Sequence, residues 1–190
     1  MRNASVVPLL LLGTLAAPLP ATLVERLTLE QLTDRSERIV HGRCGRAWSA
    51  WDAERRAIWT HCEIEVLDPL KGGSARVVVS EPGGAADGLE MHIDGVPLPR
   101  SGEEVVVFLF RVPNGYWRAR GLGQGKFRVL RAAGVTVEAA VEGAALIEPL
   151  RPPVAGSTAL SPLNGLALDQ FKARIRAAMT RPGREREAAR

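Results

Sequence analysis

The sequence predicts a mainly β protein: a small antiparallel barrel with a short N-terminal helix and a C-terminal amphipathic helix. Three observations carry this. Residues 58–67 alternate, with Ile58, Thr60, Cys62, Ile64 and Val66 against Trp59, His61, Glu63 and Glu65. That is the period-two pattern of a strand with one buried face. Other apolar runs are short and separated by Gly- and Pro-rich turns, as in a barrel or sandwich. Gly42 and Gly45 interrupt the strand-like segment 38–48, where glycine permits sharp coiling.

The chain begins with a leader. Met1-Arg2-Asn3 carries one positive charge, and Ala4 to Ala17 is uncharged around Leu9-Leu10-Leu11-Leu12. Thr14-Leu15-Ala16 places small residues at a cleavage site, with Pro20-Ala21 as a fallback. This is the form of a secretory signal peptide, expected over residues 1–16. A membrane anchor fits less well, because the run is shorter than the ~20 residues a span needs and Pro8, Pro18 and Pro20 interrupt it. No cysteine follows the leader for lipid attachment. The expected location is secreted or periplasmic, with no membrane span after leader removal.

Residues 17–35 form a lead-in with a short helix. Thr28 is its cap, and Gln31 completes a capping box. The barrel domain is expected over 36–149. Its first hairpin joins 38–48 to 58–67 through the polar turn 49–56. One register satisfies both faces. Cys44 lies opposite Cys62, Val40 opposite Val66 and Gly42 opposite Ile64 inside; Arg43 faces Glu63 and His41 faces Glu65 outside. Asp68 to Gly73 then ends the hairpin. Strands follow at 76–80, 104–110, 116–120, 126–130 and 135–139, and 81–100 is a Gly- and Pro-rich loop with an extended piece at 89–93. Residues 150–164 hold Pro152, Pro153 and Pro162 and read as a linker. Residues 165–180 carry Leu168, Phe171, Ile175 and Met179 at helical spacing. The charged tail 181–190 is expected to be disordered.

Charge excludes one class of partner. Arg2 in the leader, and four Arg against two Glu in the tail, account for most of the formal net charge of +4. The body between is near neutral and lacks the basic face that nucleic-acid binding requires.

Residues with chemical potential are few. In an exported chain Cys44 and Cys62 predict one structural disulfide, the alternative being two buried thiols. There is no Cys-x-x-Cys to make it redox-active. His41, His61 and Glu65 are imaginable zinc ligands, but no metal-site spacing supports them, and surface histidines paired with carboxylates are the simpler expectation. Gly121-Leu122-Gly123-Gln124-Gly125 lacks the Lys-Ser/Thr ending of a phosphate loop and runs into a strand, so a tight bend is expected. No catalytic residue, cofactor or metal site is assigned. Trp48, Trp51 and Trp59 flank the first hairpin turn. They read either as packing or as an aromatic contact patch for a partner, with the 49–56 turn as the contact surface.

Several of these features occur together in one known family. Ile39-Val40-x-Gly42, the long alternating second strand, Val66-Leu67 leading to Leu70-Lys71-Gly72, and Gly102-Glu103 before Val105-Val106-Val107-Phe108-Leu109 are its points of likeness. Over residues 36–140 the chain resembles the netrin-like domain, the OB-type barrel of tissue inhibitors of metalloproteinases, and exported bacterial proteins of that layout. The resemblance implies an OB-like barrel acting as a binding module. Those inhibitors chelate the target's zinc through an N-terminal Cys. A mature chain starting near Ala17 has none before Cys44, so only the fold and a general binding role carry over. The expected function is a non-catalytic exported domain binding a secreted protease or envelope protein. The alternatives are an envelope hydrolase built on His92 and Asp94, or a structural envelope component held by the C-terminal helix and tail.

Overall fold

The computed structural model describes residues 23–132, 134–141, 145–147 and 163–180. The leader, most of the proline-rich linker and the basic tail lie outside these. Strand β1 (Leu23–Glu25) is followed by helix α1 (Leu29–Arg35). The capping box forms as the sequence predicts: the Gln31 amide N–H donates to Thr28 Oγ1 at 3.2 Å, and the Thr28 N–H to Gln31 Oε1 at 2.9 Å.

Two long strands form the centre, β2 (Arg38–Trp51) and β3 (Ile58–Lys71), followed by β4 (Arg76–Pro82). A small hairpin, β5 (Gly84–Ala86) and β6 (Leu89–Met91), lies within the 81–100 segment; β6 falls in the expected extended piece at 89–93, and β5 adds a strand where loop is expected. Then come β7 (Glu104–Arg111), β8 (Trp117–Ala119), β9 (Lys126–Leu130), β10 (Thr136–Ala139), β11 (Ala145–Ile147) and helix α2 (Leu168–Thr180).

The sheet closes on itself. β7, β2, β3 and β4 pair antiparallel in that order, β8 pairs parallel with β4, and β8 returns antiparallel to β7. This five-stranded closed barrel is compatible with an OB-like fold. β9 and β10 extend the sheet from β7.

Two apolar layers result. Val40, Cys44, Cys62, Ile64, Val79 and Val107 are among the side chains filling the barrel. Outside it, Val106 and Phe108 of β7 meet Phe127, α1 and α2 in a second core. Both faces of β7 are therefore buried, which explains its unbroken apolar run. Phe171 of α2 packs its ring 4.6 Å from that of Phe127. The apolar face of α2 is thus spent inside the protein and is not free to anchor it elsewhere.

The hairpin register differs from the expected one. Gly42 lies opposite Val66, Arg43 opposite Glu65 and Cys44 opposite Ile64, while Ala47 faces Cys62. Gly45 and Arg46 together oppose Glu63, so β2 carries a bulge. Further irregularities put His41 opposite Asp68 and Val40 opposite Pro69. The strand also runs on through Asp68–Lys71, where the hairpin was expected to end. It is held there by Leu70, buried in the outer core, and by Lys71 Nζ donating to the Thr33 carbonyl at 2.6 Å. Inner and outer faces of β2 up to Cys44 are those predicted: the slip is two residues at Gly42–Cys44, and the irregularity that makes it three at Val40 and His41 lies in β3. Cys44 and Cys62 are diagonal neighbours with Cα atoms 5.9 Å apart, and they form the disulfide.

Candidate functional site

The barrel interior holds little space. Its cavity measures about 20 Å³, room for a single water. Glu81 and Lys126 sit at its edge. Glu81 is buried, and burial pushes its carboxyl pKa up, opposed by Arg118 and by the Ala119 amide, which donates at 2.6 Å. Burial likewise lowers the Lys126 pKa, opposed by Glu103 at 2.7 Å. The arrangement closes the barrel mouth.

The larger opening is an outer groove of about 450 Å³. It is reached by following the bulge. Inserting one residue at Gly45-Arg46 exchanges the faces of β2, so Trp48 points outward beside His61 and Trp51 falls on the inward side opposite Ile58. Trp48 stacks on His61 with ring centroids 5.2 Å apart; His61 meets Tyr116 edge-on at 5.4 Å, and Tyr116 meets Trp59 at 5.1 Å. This aromatic chain crosses β2 and β3 to the turn before β8. His61 Nδ1 shares a hydrogen bond with Ser80 Oγ at 2.8 Å, and burial lowers the imidazole pKa, favouring the neutral ring.

Cations gather around these rings. The guanidinium of Arg38 lies 4.5 Å from the Trp117 ring centre and that of Arg111 5.8 Å; Arg46 lies 5.0 Å from the centre of Trp48. Arg38 and Arg46 have no carboxylate partner among the described residues. Arg76 is paired with Glu63 at 3.2 Å. The groove is aromatic and electropositive, with a neutral imidazole in its wall.

A second polar cluster lies on another face. Glu104 is buried and receives Arg131 at 2.7 Å and His41 Nε2 at 2.9 Å, with Arg43 at 3.3 Å. The Arg131 hydrogen bonds, against the cost of burial and aided by His41 and Arg43, bring its carboxyl pKa down to about 2. A carboxylate only accepts, so His41 Nε2 carries the proton, and its buried Nδ1 has no partner. Asp68 beside it pairs with Lys172 and Arg176, each at 3.0 Å. Burial raises the Asp68 pKa, but these two cations outweigh it and hold the carboxyl low. The cluster ties α2 and the Arg131 segment to the barrel.

The structure treats the sequence-derived residues unequally. Trp48 lines the groove; Trp59 touches its wall through Tyr116 without lining it, and Trp51 does not line it. The three imaginable zinc ligands are not brought together: His41 is held by Glu104 and His61 by Ser80. Among the described residues no group of three or more His, Cys, Asp or Glu is placed to hold a metal. His92 Nε2 lies 3.2 Å from Asp94 Oδ1, but both side chains are exposed, and neither the barrel cavity nor the groove includes them. The glycine run 121–125 forms a 3₁₀ turn in which Gly123 packs on the Ala140 carbonyl, where a Cβ would collide. Its compactness is structural. Periodicity and motif spacing do not single out Tyr116, Trp117, Arg38 or Arg76, all of which line the groove. The one available signal was the only tyrosine beside the fourth tryptophan, directly after the Pro113-Asn114-Gly115 turn.

No protein-family model matches the chain, nor does any curated protein or solved structure. The functional reading therefore rests on the groove itself.

Proposed function

We propose that this chain is a non-catalytic binding module acting outside the cytoplasm, and that the outer groove receives its protein partner. The observation that carries this reading is the open aromatic groove lined by Trp48, His61, Tyr116 and Trp117 with Arg38 and Arg76. Aromatic side chains and arginine are the residues that concentrate binding energy at protein interfaces. Rings already stacked on one another lose little freedom when a partner covers them. The alternative of a ligand inside the barrel is disfavoured by the small interior volume.

The compartment belongs to the same reading. A disulfide persists in oxidising surroundings, as expected of a chain with an export leader. Among the described residues no helix is long and apolar enough to cross a membrane. The partner is accordingly another exported protein, a secreted protease or an envelope component. The netrin-like resemblance supports a binding barrel.

The test compares the immobilised protein with a Trp48→Ala, Tyr116→Ala double variant, each exposed to exported proteins from the producing cell. A protein retained by the parent and released by the variant is the expected result. Identical retention on both would contradict the groove assignment.

A further inference from the structure

The groove lies where the barrel is least completely paired. On its inner neighbour's side β4 is registered with β3 along its length, from Arg76 opposite Glu65 to Pro82 opposite Trp59. On its other side it has one registered partner, Val79 beside Trp117 of β8. β8 begins at Trp117, and the chain before it forms a turn bonded to Val112, whose N–H donates to the Tyr116 carbonyl at 2.9 Å, with Gly115 and Tyr116 lining the groove and no registered pairing to β4. The edge of β4 at Arg76–Val78 is therefore without a neighbouring strand among the described residues, although the Arg76 carbonyl already accepts from Ser74 Oγ and keeps one lone pair for a guest. The groove follows this gap: it is lined by Arg76 and Val78 from the outer face of β4 and by Val77 from the inner face. A groove touching both faces of one strand runs along that strand's edge. Val78 remains 41% exposed, unusual for an apolar side chain beside stacked aromatics.

Resting on the reading of the groove as a binding surface, we infer that its occupant is an extended, acidic segment of a protein, added as a strand to the Arg76–Val78 edge of β4. Open strand edges offer main-chain donors and acceptors that an extended peptide satisfies in register. The open stretch spans roughly 10 Å, enough for a short strand. Charge selects the sign of the guest. Among the described residues Arg38 and Arg46 have no carboxylate partner and the Arg111 guanidinium donates to the Gly115 carbonyl, while Glu37 is engaged by the Arg111 amide and Glu63 by Arg76. A carboxylate-bearing strand meets unpaired guanidinium groups; a basic one is repelled. Alternate guest side chains reach Val78 and the Trp48–His61 stack. A single-stranded nucleic acid or acidic polysaccharide shares the charge but cannot complete a β-ladder.

The experiment uses the full chain, isotope-labelled for amide NMR, with a Glu-Val repeat peptide of about ten residues. Its counterpart is the same peptide N-methylated at alternate residues. The expected result with the first peptide is slowed hydrogen exchange at the Arg76 and Val78 amides, which face the open edge, with no change at Val77, whose amide faces β3, and affinity about tenfold or more weaker for the second peptide. Val78→Glu, at an exposed position, is expected to weaken the first peptide by a similar factor with an unchanged melting temperature. Equal binding of both peptides with shifts at Trp48 and His61 overturns strand addition and leaves the groove reading standing. An oligothymidylate or polygalacturonate binding more tightly than the peptide overturns the peptide assignment. No shift in the groove with any probe overturns both readings.

Discussion

Glu104 is the residue on which most positive charge converges, and its titration has a visible consequence. Its carboxyl stands at about 2 in the folded chain against an ordinary 4.5. The unfolded chain thus binds the extra proton first as pH falls. The stability this group contributes is complete above about 4.5 and is lost as pH drops toward 2. Glu104→Gln is expected to cost about 1–3 kcal/mol at neutral pH and to flatten this part of the acid dependence. Denaturant melts at about pH 7 and about pH 3 read both effects; a variant with the parent's acid slope contradicts the assignment. The disulfide acts on the unfolded chain instead. With Cys44 and Cys62 18 positions apart, its loss is expected to cost on the order of 3 kcal/mol, measured as a lowered melting temperature after reduction. Both cysteines are legible from sequence, being on the inward parity of adjacent strands in a chain whose N-terminal residues predict export. The outward turn of Trp48 is not. It depends on one extra residue at Gly45-Arg46, and a bulge leaves the composition of either strand unchanged.

At the scale of elements, periodicity reads well wherever one face is buried. β3 alternates and is found where its pattern lies, and the Thr28 and Gln31 pair marks the start of α1. β7 shows no alternation because the barrel interior takes Val105, Val107 and Leu109 while the outer core takes Val106 and Phe108. Its apolar run is a record of two layers. α2 belongs to the same outer core. Phe171 is fully buried between Phe127 and Phe108, so Phe171→Ala is expected to destabilise the protein by about 3–5 kcal/mol in equilibrium unfolding. A loss under about 1 kcal/mol would mean that α2 is not part of the cooperative core. The extension of β3 past Asp68 was hidden because Asp-Pro and Lys-Gly read locally as turn. Packing of Leu70 and the reach of Lys71 to α1 override that preference.

For the whole molecule, closure of the barrel decides where function can reside. In the proposed reading a filled interior turns binding to the outside, where the groove lies beside the incomplete pairing between β4 and β8. Its lining comes from β2, β3, β4 and the turn before β8, so no single stretch of sequence displays it. Arg38 and Trp117 are 79 positions apart yet stacked. The most direct measurement of this claim is site-specific photocrosslinking in the producing cell. A benzophenone amino acid replaces Tyr116 in the groove or, in a second protein, exposed Leu130 on β9, which takes no part in it. A discrete adduct from position 116 and none from position 130 is the result predicted. Adducts from position 130 alone, or the same adduct from both, would contradict it.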